Sequence, residues 1–176
     1  MLKSLRLNFV AVAALTVSIV NAQTQWNSST SYPTSSLVIG SDTNLYRAVA
    51  VTEGNNPTTD SGTNWTLYTA CAATTLAVSS GGRFATLTQA YAFIQDATIT
   101  HNGPVTISIA TGYTTTEPGP VTFSNPYGQR ISVVGGGSTS VLNFGSAFNG
   151  IVVSAGRSLG NFSGVALQGP TITTSN

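Results

Sequence analysis

The sequence predicts an all-β protein interrupted by a single helix, and three observations lead to that reading. Hydrophobic residues make up 41% of the chain and charged residues only 6%, with 18 glycines and abundant Thr and Ser, a balance that suits sheets and turns better than helical bundles. Short β-branched runs recur between clusters of Gly, Pro, Asn and Ser, as strands do. One segment alone, near the middle, carries a clear helical period with a start signal.

Taken in order, the first 22 residues read as an export signal. Lys3 and Arg6 precede the twelve-residue apolar run "FVAVAALTVSIV" (Phe9 to Val20), and Val20-Asn21-Ala22 puts a small residue where a signal peptidase cuts. That run is too short to span a bilayer comfortably, so the mature chain is expected outside the cytosol, without a membrane span. Cys71 is the one cysteine, so no disulfide forms within a single chain. Three Asn-x-Ser/Thr sites, at Asn27, Asn64 and Asn161, matter only in a eukaryotic secretory pathway. The formal net charge of +1 includes Lys3 and Arg6, and the remainder holds four arginines against five acids. Such a chain has no long-range attraction for nucleic acid or an anionic membrane.

Residues 23–70 are aromatic, short-stranded and turn-rich. Residues 71–82, "CAATTLAVSSGG", lack aromatic and charged side chains and end in a Ser-Gly cluster, which reads as a linker. In "TLTQAYAFIQDA", Thr86 and Gln89 have the spacing of a capping box, and Leu87, Ala90, Tyr91 and Ile94 fall on one face. This predicts a helix of about three turns. "VTISIA" from Val105 alternates apolar and hydroxyl residues as a half-buried strand does. Further strands are expected at Val121, Ile131, Val141, Ile151 and Val165, with a last one in "TITTSN", Thr171 to Asn176. Their spacing leaves two architectures open: a β-sandwich of short strands, or a right-handed parallel β-helix.

The stretch from Phe84 to Gly137 resembles the N-terminal entry of the pectin-lyase-like β-helices of bacteriophage tail fibres and tailspikes. The resemblance rests on Thr86-Leu87, Ala90, Val105-Thr106-Ile107, Gly112-Tyr113, Pro126-Tyr127-Gly128 and Ile131-Ser132-Val133-Val134-Gly135. It implies that the helix caps the open end of a parallel β-helix occupying residues 83–176, and that chains associate as a homotrimer. In the first block, Trp26, Tyr32 and Val38 with "LYRA" (Leu45 to Ala48), "NNP" and Trp65 resemble the small modules of carbohydrate-binding families 5 and 12. Some of those modules bind chitin or cellulose, and relatives occur in phage tail fibres.

That second resemblance implies a glycan site built from Trp26, Tyr32, Tyr46, Trp65 and Tyr68. Flat rings offer apolar faces to pyranose C–H groups while polar edges bond hydroxyls. The competing reading is structural, because so small a module builds a core only by burying large side chains. The chitin-binding members usually carry an exposed aromatic before the proline, whereas "EGNNP" (Glu53 to Pro57) has none.

Enzymatic chemistry is not expected, although the pectin-lyase-like family includes polysaccharide hydrolases and lyases. Glycoside hydrolysis uses two carboxylates, and after Glu117 the sequence contains neither Asp nor Glu. Lyase chemistry needs a base and charge neutralisation, which Arg130 and Arg157 alone do not supply. A single His101 and a single Cys71 make a metal site or cofactor unexpected, and the run Gly135 to Gly137 lacks the lysine of a phosphate loop. Glu117 with Arg130, and Asp96 with Arg83, are read as solvated surface pairs of little energetic weight.

The expectation is therefore a non-enzymatic fibre or surface-recognition protein that binds a polysaccharide or cell-surface glycan, either in a virion or as a secreted bacterial adhesin. A third reading is the truncated N-terminus of a polysaccharide-degrading tailspike enzyme. An open last coil invites association unless it is covered, so either the chain continues or identical chains pair there.

Overall fold

The computed structural model describes residues 23–145, 150–169 and 173–174. The expected export signal, residues 1–22, lies outside the described residues. Among the described residues the fold is mostly strands with one α-helix. No helix among the described residues is long and apolar enough to cross a membrane.

Strands β1 (Thr24–Gln25), β2 (Leu37–Ile39), β3 (Leu45–Ala48) and β4 (Trp65–Ala70) form the first sheet, with β2, β3 and β4 antiparallel and β1 parallel to β2. Alternation drives it: Val38, Tyr46, Trp65 and Leu67 are buried, while Arg47 and Thr66 between them are only partly covered.

Part of the stretch read as a linker, residues 71–82, is a strand. β5 (Thr74–Val78) buries Leu76 and Val78 and pairs along its whole length with a later strand. Its apolar alternation spans only five residues beside a Ser-Gly cluster, which conceals the strand in the sequence. The link is also fastened from before: buried Asn44 accepts from the Cys71 and Ala72 amides and donates to the Thr74 hydroxyl.

Helix α1 (Leu87–Ile94) follows, with Thr86 as its N-cap accepting from the Gln89 amide at 3.1 Å. The reciprocal arm of the box lands one residue early, where the Gln89 side chain accepts from the Ala85 amide. Leu87, Ala90, Tyr91 and Ile94 are buried as the period predicts, and so is Phe93. Phe93 lies outside that stripe because α1 is covered on a second side. Its ring packs against Tyr46 of the first sheet and against Phe84.

After β6 (Thr98–Ile99), which extends the first sheet in parallel with β4, come β7 (Val105–Ile109), β8 (Val121–Phe123), β9 (Ile131–Gly135), β10 (Val141–Asn143), β11 (Ile151–Val153), β12 (Phe162–Ser163), β13 (Ala166–Gln168) and β14 (Thr173–Thr174). Three further sheets run β12-β9-β7-β5, β14-β11-β8 and β10-β13. Every strand pair in these sheets is parallel. The chain returns to the same sheet at steps of roughly 20 to 30 residues, so hairpins of a sandwich are not what joins these strands. In register, Leu76 meets Ile107, Ile107 meets Val133, and Val133 meets Phe162. The first three are buried and Phe162 is half-buried, giving a continuous apolar column whose members each contribute about 1.5–3 kcal/mol.

Two side chains from the segments on either side of β8 hold the helix ends. Glu117 is 1% exposed and is not the surface partner of Arg130 expected from the sequence. Its carboxylate accepts from the Leu87 and Thr88 amides, each at 2.9 Å, from the Thr88 hydroxyl, and from the Tyr113 hydroxyl. These amides are unpaired donors at the positive end of the helix, so a carboxylate satisfies both hydrogen bonding and charge. Burial, reinforced by Glu117, pushes the Tyr113 phenol well above its ordinary range. At the other end, the amide nitrogen of buried Asn125 donates to the Ile94, Gln95 and Ala97 carbonyls. Arg130 donates instead to the Ile99 carbonyl.

The glycine run is used for close approach. A Cβ on Gly135 would collide with the Gly164 carbonyl on the next parallel return, and one on Gly136 with the Thr111 hydroxyl.

Candidate functional site

The five aromatic rings named from the sequence divide sharply by exposure. Trp65 is fully buried at the start of β4, and its indole nitrogen donates to the Asn55 carbonyl at 2.8 Å. Tyr32 meets it edge-on, with ring centroids 5.4 Å apart, and accepts at its hydroxyl from the Asn27 amide. Tyr46 is buried beside Phe93 and donates to the Asp42 carboxylate. Burial and that carboxylate push the Tyr46 phenol well above its ordinary range. These three rings are buried, and covering the first sheet consumes them. Trp26 is half-buried against the same core, with its indole nitrogen buried and unpartnered among the described residues.

Tyr68 differs. It projects from β4 at 40% exposure, at a bulge where Leu45 pairs with Thr69 but Tyr46 pairs with Leu67. Tyr68 is thus the extra residue, and it keeps the outer side that alternation gives it, since Trp65 and Leu67 are buried and Thr66 lies between them on the other face. The Arg47 guanidinium from β3 lies over its ring, 5.8 Å from the centroid. Among the described residues that guanidinium makes no hydrogen bond or ion pair.

The remaining polar groups support the scaffold. Asp60 in "DSGTN" accepts from the Gly62, Asn64 and Trp65 amides and from the Asn64 side chain, locking the turn that delivers Trp65. Burial alone would raise this carboxyl, but those hydrogen bonds outweigh it and hold it below its ordinary value. Arg83 does not pair with Asp96. It donates to the Asp60 and Pro57 carbonyls and lies over the Phe84 and Phe93 rings at 4.9 and 4.8 Å. Burial lowers its pKa, against the opposing pull of Tyr46, Asp60 and Asp42.

Glu117 and Asp60 are thus spent on amides, and Asp42 is spent on Tyr46 and Asn44. Glu53 and Asp96 lie exposed on separate segments, and His101 sits exposed in a turn. Among the described residues no three His, Cys, Asp or Glu side chains gather as a metal site. Two shallow clefts flank α1: one of about 240 Å³ beside Tyr91 and Thr122, the other of about 150 Å³ beside Gly62 and Phe93.

The sequence reading did not single out Arg47 as a partner of Tyr68. The two residues are distant in the chain, and only the antiparallel register of β3 and β4 joins them. Comparison with family models, with curated proteins and with solved structures finds no match for this chain.

Proposed function

We propose that this chain is a non-enzymatic surface-recognition protein of the fibre type, similar to a phage tail fibre, which binds cell-surface or insoluble polysaccharide. In this reading the parallel strands wind as a right-handed β-helix of the pectin-lyase-like kind, α1 covers its first turn, and chains associate as homotrimers. The antiparallel sheet, a carbohydrate-binding module by resemblance, carries the glycan contact. The observation that carries the reading is Tyr68, an aromatic ring left on the outer side of a sheet whose Tyr46 and Trp65 rings are buried. Exposed rings of this sort supply the apolar face that a pyranose requires. The parallel registers and the helix tied at both ends support the role of the rest as a rigid carrier.

Pull-down on insoluble chitin, cellulose and capsular polysaccharide tests this. The folded protein is retained on at least one of them, Tyr68→Ala loses that retention, and no reducing ends or unsaturated products appear. Failure of the unaltered protein to bind any member of a broad glycan panel would overturn the reading.

A second reading, a secreted bacterial adhesin that uses the same face, is favoured by the apolar run Phe9 to Val20 and the small residue Ala22. An N-terminus at Gln23 in material from the native source supports it over virion assembly.

A further inference from the structure

We infer that Arg47 and Tyr68 together recognise a carboxylate-bearing sugar, so that the glycan taken by this face is acidic rather than neutral. This rests on the glycan-binding reading above and specifies its substrate class.

The argument starts from how the arginines of the described chain are employed. Arg83 spends its donors on two carbonyls and its plane on two buried rings, Arg130 donates to the Ile99 carbonyl, and Arg157 is exposed with no aromatic ring against it among the described residues. Arg47 differs from all three. Its guanidinium is set over the Tyr68 ring, and no carbonyl or carboxylate among the described residues takes its donors. The strand partners of Arg47 are Leu37 on β2 and Thr66 on β4. Neither can neutralise it, so the sheet offers one positive charge with no acidic neighbour in register.

Stacking on an aromatic ring restricts the long arginine side chain, which lowers the entropy lost when it forms a bidentate bond. A planar carboxylate fits that fork, and the charge-assisted pair is stronger than a neutral hydrogen bond. The exposed remainder of Tyr68 lies where the sugar ring bearing that carboxylate would rest. Alternation sets the face: Arg47 pairs with Thr66, and Tyr68, two residues further along β4, lies on that same outer side. A neutral sugar would use the ring and leave the guanidinium in water, forgoing the stronger of the two interactions.

Titration with three soluble probes tests this: a galacturonic acid hexamer, the same hexamer fully methyl-esterified, and chitohexaose. The acid form is expected to bind at least about tenfold more tightly than its ester, a ratio in the range that a charge-assisted hydrogen bond supplies, and the preference shrinks with added salt. Arg47→Gln brings the acid down to the affinity of the ester, Arg47→Lys recovers only part of the difference, and Tyr68→Ala weakens both ligands. Unchanged thermal melting of each variant excludes misfolding as the cause.

Equal binding of acid and ester, or tighter binding of chitohexaose with no effect of Arg47→Gln, would overturn the inference while leaving the glycan-binding reading in place. Absence of binding to all three and to a broad glycan panel would overturn both.

Discussion

Glu117 and Asn125 grip opposite ends of the same helix. The carboxylate of one accepts from the Leu87 and Thr88 amides, and the amide nitrogen of the other donates to the Ile94, Gln95 and Ala97 carbonyls. Both residues lie in the segments flanking β8, so a short stretch of chain holds α1 against the parallel strands from each end.

Replacing Glu117 by Gln is expected to cost about 1–3 kcal/mol. An acceptor is lost, one donor is left with a poor partner, and the favourable charge at the helix N-terminus disappears. Denaturant unfolding measures the loss, and hydrogen exchange at the Leu87 and Thr88 amides accelerates before exchange in β7 does.

Asn125→Leu removes a donor shared among three carbonyls at the other end. Similar destabilisation, about 1–3 kcal/mol, is expected by urea denaturation, with the effect centred on the last turn of α1. Because the two sites share the helix, the double variant departs from additivity.

Trp65→Ala and Tyr68→Ala separate core from surface within one strand. The first empties a fully buried site and costs about 3–5 kcal/mol, whereas the second lies within about 0.5 kcal/mol of the unaltered protein. Thermal melting distinguishes them. Loss of binding in Trp65→Ala therefore reports unfolding, which makes Tyr68 the residue to alter when binding is the readout.

Asp60 gives the fold an acid-sensitive element. Its carboxyl is held below its ordinary value, so its contribution is fully present above the unfolded carboxyl range, near pH 4 to 5, and is lost as the pH falls through the lower folded value. The stability gap between the unaltered protein and Asp60→Asn is expected to be constant near neutrality and to narrow in acid, as measured by melting across pH.

Much of this arrangement was legible in the residues. Thr86 and Gln89 marked the helix start, and the alternation in "VTISIA" became the buried and half-buried pattern of β7. The choice between sandwich and parallel strands was not legible in this way, because alternation fixes which face is buried and not which strand lies alongside. β5 escaped notice since two inward side chains, Leu76 and Val78, are too few to establish a period. Glu117 read as surface because a lone charge in a loop normally is, and its real partners are backbone amides that leave no trace in sequence. Phe93 fell off the predicted stripe for a related reason, since the sheet on its far side precedes the helix by a long stretch of chain. The aromatic cluster was visible as composition, but only tertiary packing separates Tyr68 from Trp65, Tyr46 and Tyr32.

The most direct test of the glycan-binding account is to titrate the isotopically labelled protein with a retained polysaccharide fragment and map amide shifts by NMR. The account predicts perturbations concentrated at Arg47, Thr66 and Tyr68 on the outer face of β3 and β4, with Tyr32 and Trp65 changing little. Shifts confined to the clefts beside α1, or no shifts with any glycan, would contradict it.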